Sequence, residues 1–376
     1  LGSSENVKIS ATILWFLWYF LLVNDPVPMM NRNFLSPAVV ASKFRSLFSA
    51  RISAPFAVTA LFVAATWSAA PVYAGLNFQF DYTYDDNGFF GSSGSVQRGA
   101  LESAASYLEG ILGDDFDAIV PDVRAGNTWV AGIFDPENRA VGIKINNLVV
   151  PADTLIVYVG GSDLSGIGAL GFSKPGDISA SGSAAFVNGV VNRGEGGIIT
   201  PWDGTGATLK DDTDVAPWGG VISFDNLTNW NFDDESGSGA STGEFDFRTV
   251  ALHELSHVLG FGSVDSFDRL VSGSDFTGPN AVAAYGGHVP LTSDLHFDGV
   301  SSTVFQGGAA QSAVLNGSLP TATRREFTAV DAAALDDIGY DVVPEPTSPL
   351  LLLTASAAWL LRRPRRHYAN ANANAA

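Results

Sequence analysis

Apolar and polar positions alternate along residues 76–84, where Leu76, Phe78, Phe80, Tyr82 and Tyr84 share one face. A period of two predicts a strand. The period changes in residues 96–112. There Leu101, Ala104, Ala105, Leu108 and Ile111 recur at helical spacing and predict an amphipathic helix. β-Branched runs at 141–150 and 154–159 predict strands, and the Gly-, Ser- and Asp-rich stretch 160–243 holds short strand candidates at 185–191 and 221–224. A second helix follows. Asp246 is placed to cap it, Phe245 and Val250 to staple its start, and Gly260 and Gly262 to end it. Ala251, Leu252, Leu255, Val258 and Leu259 form its apolar stripe. Strand, helix, several strands, then a second helix is the order of an α+β fold with a mixed sheet over helices, in one large or two small lobes.

Composition narrows the setting. The chain has 376 residues and no Cys, which excludes disulfides, thiolate metal sites and a cysteine nucleophile. Hydrophobic residues at 46% against 16% charged describe a folded chain. Nine of the 20 Lys/Arg but only three of the 39 Asp/Glu lie outside residues 75–343, so that segment carries a formal charge of about −25. Such a surface repels nucleic acid and anionic membrane, and no nucleic-acid partner is expected.

Both ends read as addresses. Lys43, Arg45 and Arg51 precede an apolar run at 54–70 and then Val72-Tyr73-Ala74, the layout of a signal peptide cut by signal peptidase after Ala74. Met29 and Met30 are the only methionines, so residues 29–74 are taken as the signal peptide and 1–28 as a mis-assigned extension. The alternative for the apolar run at 11–23 is a short extra membrane segment. At the other end Pro344-Glu345-Pro346 precedes an apolar run at 350–361 and then Arg362-Arg363-Pro364-Arg365-Arg366. That order resembles the bacterial PEP-CTERM sorting tail, here 343–376. The resemblance implies transient membrane anchoring, cleavage by an exosortase-type enzyme, and delivery to the cell surface or extracellular matrix. A plain membrane anchor is the alternative, and it too implies export.

The chemistry concentrates in His253-Glu254-Leu255-Ser256-His257-Val258-Leu259-Gly260. Histidines four apart share one helix face, so both imidazoles reach one zinc ion, and Glu254 beside the first is placed to act as general base on a metal-activated water. Only five His occur in the chain, which makes a chance spacing improbable.

The motif H-E-x-x-H-x-x-G, with the element order, resembles the catalytic domain of metzincin-like zinc endopeptidases; the resemblance covers roughly 219–343, and the domain it implies is 75–342. Two departures stand out. Ser263 occupies the place of the usual third His, and no Met follows the motif; Leu315, in Ala313-Val314-Leu315-Asn316, is the expected substitute beneath the zinc. The leishmanolysin-like branch takes its third His from a distant segment, which leaves His288 and His296 as candidates. His296, followed by Phe297 and a turn at Asp298-Gly299, is preferred; Asp265 and Glu326 are weaker. Glu326 lies beside Arg324 and Arg325 in a stretch expected to face solvent. Residues 330–340 resemble the closing helix and turn of secreted bacterial members. In metzincin-like enzymes an exposed edge strand ahead of the zinc helix pairs with a protein or peptide substrate, and 221–224 lies near that place.

Asp211, Asp212, Asp214, Asp233 and Asp234 are candidate calcium ligands, although solvated acidic turns are the favoured reading. The function expected is an exported zinc metalloendopeptidase. The alternative is a non-catalytic surface or matrix protein stapled by zinc, for which Glu254 would have no use.

Overall fold

A computed structural model describes residues 75–198, 211–233 and 239–343. The proposed extension, signal peptide and sorting tail lie outside these, save Val343. The alternating run yields Asn77–Asp81 (β1), shorter than expected because Asp85 turns the chain by accepting the Phe89 and Phe90 amides. The helical run forms Val96–Glu109 (α1), capped by Ser95, with Ala100, Leu101, Ala104, Ala105 and Leu108 as its buried stripe. Thr128–Asp135 (β2) pairs antiparallel with Asn138–Asn146 (β3). Then come Thr154–Ser162 (β4), Gly171–Pro175 (β5) and Asp177–Ser181 (β6).

Residues 185–191, expected as a strand, are a helix instead, Ala184–Asn192 (α2). A short apolar run does not distinguish the two periods, and here the ends decide. Ser183 accepts the Phe186 amide, and Arg193 closes the helix in the left-handed region at φ 48°. Val187 and Val190, three apart, are the residues it buries.

Gly219–Asp225 (β7) completes a mixed sheet of order β1-β4-β7-β5, in which the first three strands run parallel and β5 runs antiparallel. Both faces of its centre are covered. Leu155, Val157, Val159, Ile222 and Phe224 face the helices, whereas Ile156, Tyr158 and Val221 face the three-stranded sheet β3-β2-β6. This corrects one expectation. Residues 221–224 are fully buried between two strands, and the edge is β5, whose Gly-Phe-Ser-Lys-Pro sequence carries no strand signal strong enough to read.

Two β-bridged pairs, Trp230–Asn231 (β8) and Phe245–Asp246 (β9), lead into Phe247–Val258 (α3). Short helices Asp265–Asp268 (α4) and Pro279–Tyr285 (α5) follow, and Ala329–Ile338 (α6) closes the fold. The tight arrangement of α3 against α1 and the sheet explains why its own apolar stripe is almost wholly buried. No helix among the described residues is long and apolar enough to cross a membrane.

Candidate metal centre

The helix that carries the motif is fixed at both ends. Asp246, fully buried, accepts the Thr249 amide at 2.8 Å and its hydroxyl at 2.7 Å, and Arg324 Nε donates to its other oxygen at 2.8 Å. At the far end Gly260 has φ +111°, and a Cβ there would stand 2.7 Å from a Val264 methyl carbon. Only glycine meets both conditions, so the chain leaves the helix sharply after one further turn.

Three imidazoles meet beside this helix. His257 Nε2 lies 3.0 Å from His253 Nε2 and 3.1 Å from His296 Nε2. The His253 and His296 rings are stacked, 5.0 Å apart and 7° from parallel, and His257 stands edge-on to both. His253 Nδ1 donates to the Val314 carbonyl and His257 Nδ1 to the Phe261 carbonyl, each at 2.8 Å. A carbonyl only accepts, so both Nδ1 atoms carry the proton and both Nε2 atoms are bare lone pairs. Lone pairs at 3.0 Å repel unless a cation lies among them. His296 Nδ1 stands 3.4 Å from an Asp294 carboxylate oxygen but makes no hydrogen bond to it, so its tautomer is not fixed in the same way. Burial and mutual repulsion hold His253 well below the usual imidazole range, and burial with His296 brings His257 down to about 4. Neutral imidazoles are what a transition metal requires, and the three form a group able to hold one.

Sequence reading missed what holds Glu254. Its side chain is buried, and Ser173 of β5 donates to Glu254 Oε2 at 2.7 Å and lies 2.8 Å from the Glu254 backbone carbonyl. Burial raises the carboxyl to about 7 against the opposing Ser173 bond. Gly171 makes this approach possible, since a Cβ there would stand 2.5 Å from Glu254 Oε1. The edge strand therefore runs directly over the carboxylate. Together they border a cleft of about 730 Å³, with residues 167–174 on one wall, α3 at its floor, and Val314 and residues 316–319 opposite.

The opposite wall hangs from α6. Asp331, fully buried, accepts the Val314 and Leu315 amides at 3.0 Å each, while also taking the Thr328 amide at 2.8 Å and hydroxyl at 2.7 Å as a capping box. Val314 then presents its carbonyl to His253, and Leu315, fully buried, accepts the Phe297 amide at 2.9 Å. One carboxylate thus positions the supports of two of the three histidines. Asp331→Ala leaves four donors unpaired in a dry site and should cost about 3 to 5 kcal/mol in urea denaturation, with weaker metal retention in the fraction that folds. Unchanged stability would contradict this account.

The remaining expected residues fall elsewhere. His288 is exposed and faces Asp275 at 3.9 Å, outside the cluster. Ser263 lines the cleft but donates weakly to the Gly260 carbonyl. Asp265 opens α4, and Glu326 pairs with Arg248 at 2.7 Å. The stretch around Glu326 faces solvent only in part: the Glu326 side chain is 42% exposed, whereas Arg324 is tied to Asp246 and Arg325 is 6% exposed. Of the candidate calcium ligands, Asp214 accepts the Val215 amide, Asp212 is buried, and Asp234 lies outside the described residues. Among the described residues, the three histidines are the group of metal-ligating side chains that come together.

A mixed α/β fold with a three-histidine cluster and a buried glutamate under a sheet edge has the parts of a metalloprotease domain. Residues 183–273 match the model of the matrixin family, which supports a metzincin-like protease domain and implies zinc. The matched stretch runs from α2 through α3 and ends before His296. No curated protein and no solved structure gives a significant match.

Proposed function

We propose that this chain is a zinc-dependent endopeptidase in which His253, His257 and His296 hold the ion and Glu254 is the general base. The observation that carries the reading is the meeting of three imidazole Nε2 atoms in a cleft that a buried carboxylate also lines. Zinc bound there supplies Lewis-acid polarisation of the scissile carbonyl and acidifies the attacking water. Glu254 accepts a proton from that water and hands it to the leaving amine. Ser173 keeps the carboxylate turned toward the cleft during both transfers. The open edge of β5 offers backbone groups to an extended peptide. Three converging side chains among the described residues, rather than four, favour an enzyme over a stapled matrix protein.

The distant origin of His296 favours the leishmanolysin-like arrangement. We assign export to the same protein, with residues 29–74 as its signal peptide and 343–376 as its sorting tail. The purified chain should contain about one zinc and hydrolyse unfolded casein. Phenanthroline should abolish that hydrolysis, and added zinc should restore it. Hydrolysis that survives complete metal removal would overturn the reading.

A further inference from the structure

Among the described residues two arginines are almost entirely buried, and they differ in how they are satisfied. Arg193 is 0% exposed, and its guanidinium donates to four backbone carbonyls, those of Asp117, Thr154, Pro217 and Pro151, at 2.9 to 3.0 Å. That is the pattern of a structural cation. Arg325 is 6% exposed, yet its guanidinium donates only to the Ala313 carbonyl, at 3.1 Å, and its Nε has no partner. No carboxylate forms an ion pair with it among the described residues. Asp331 attracts it from a distance, but that carboxylate is already taken by four other donors. A buried cation with an unbonded donor is costly unless something completes it.

Its place in the fold indicates what would do so. Arg325 lines the cleft together with Thr249, Val250, His253 and Val314. Its backbone amide donates to Thr249 Oγ1 at 2.8 Å, which fixes it against the first turns of α3. Its charge is felt at His253. Thr249 and Val250 lie one helical turn before His253 and Glu254. Glu254 and Arg325 line one cleft, so a residue whose amine took its proton from Glu254 would pass close to the wall that Arg325 forms.

We propose that Arg325 sets the specificity of the cleft: its guanidinium receives the carboxylate of an acidic substrate residue, so that cleavage falls on the amino side of aspartate or glutamate. This rests on the peptidase reading above. A guanidinium suits the task because it pairs with carboxylates in a planar, two-bond geometry. Polar groups left unpaired in a dry site reject a neutral substitute strongly.

The test uses the zinc-loaded full chain and acetylated, amidated peptides that differ only at the residue after the scissile bond. Glu or Asp should exceed Gln, Asn and Leu by at least tenfold in kcat/KM. Arg325→Met should bring that ratio close to one at unchanged zinc content, and Arg325→Lys should retain part of it. Lys174→Met, which removes the other Lys or Arg lining the cleft among the described residues, should leave the ratio intact. A preference for Leu, an acidic preference that survives Arg325→Met, or cleavage confined to peptides with a free carboxyl terminus would overturn the proposal. Should neither Arg325 variant hold zinc, the wild-type series decides it alone. A chain that binds zinc and cleaves nothing would defeat the peptidase reading instead. Calorimetry with Glu- and Gln-bearing peptide hydroxamates on that zinc-loaded chain would still read the carboxylate preference.

Discussion

Glu254→Ala is expected to keep about one zinc per chain and to lose about a thousandfold in kcat/KM, close to 4 kcal/mol of transition-state stabilisation. The zinc remains because Glu254 is not among the three converging groups. The fold survives because Ser173 keeps an acceptor, the residue 254 backbone carbonyl at 2.8 Å. What disappears is the buried carboxylate of the cleft that is proposed to carry the proton. Metal content by mass spectrometry, melting temperature and hydrolysis of a quenched peptide separate these contributions. A variant as active as the parent would end the general-base assignment.

His296→Ala is expected to weaken zinc affinity by more than a hundredfold, whereas His288→Ala should leave it unchanged. Two imidazoles on α3 do not complete a catalytic zinc site, which normally takes three protein ligands. The loop should remain in place without the imidazole. Phe297 beside it is 1% exposed and packs on Phe261 with ring centres 5.1 Å apart, and Asn316 ties the following turn through the Val300 amide and carbonyl at 2.8 Å each. Competition with a chromophoric chelator measures both variants. If the two results come out reversed, His288 takes the role.

The site was more legible than the fold around it, for identifiable reasons. Asp246, the histidine spacing and Gly260 act within a few residues of one another, so local pattern contains them. His296 could be narrowed to because histidines are scarce. The edge strand could not be read, because Gly171 and Ser173 are there to let Glu254 approach, and a strand chosen for closeness to another group loses its alternating signature. Residues 184–192 misled because valines and alanines serve either period, and the cap at Ser183 was the deciding cue. Arg325 was taken for a solvated charge next to two others. Its burial comes from a contact with Thr249, 76 residues away, which no window on the sequence spans.

His257 and His296 stand 39 residues apart and meet at one point. An ion shared between them would close that length of chain as a cross-link does. By the chain-entropy account, a closure of this size is worth on the order of 4 kcal/mol. In a sequence without cysteine, a bound ion would then also act as a rivet, so the stability of the fold would follow the free metal of its surroundings. Without the ion, the excursion from 258 to 295 would lose that closure and rest on its buried side chains, Phe261, Phe267 and Phe276 among them.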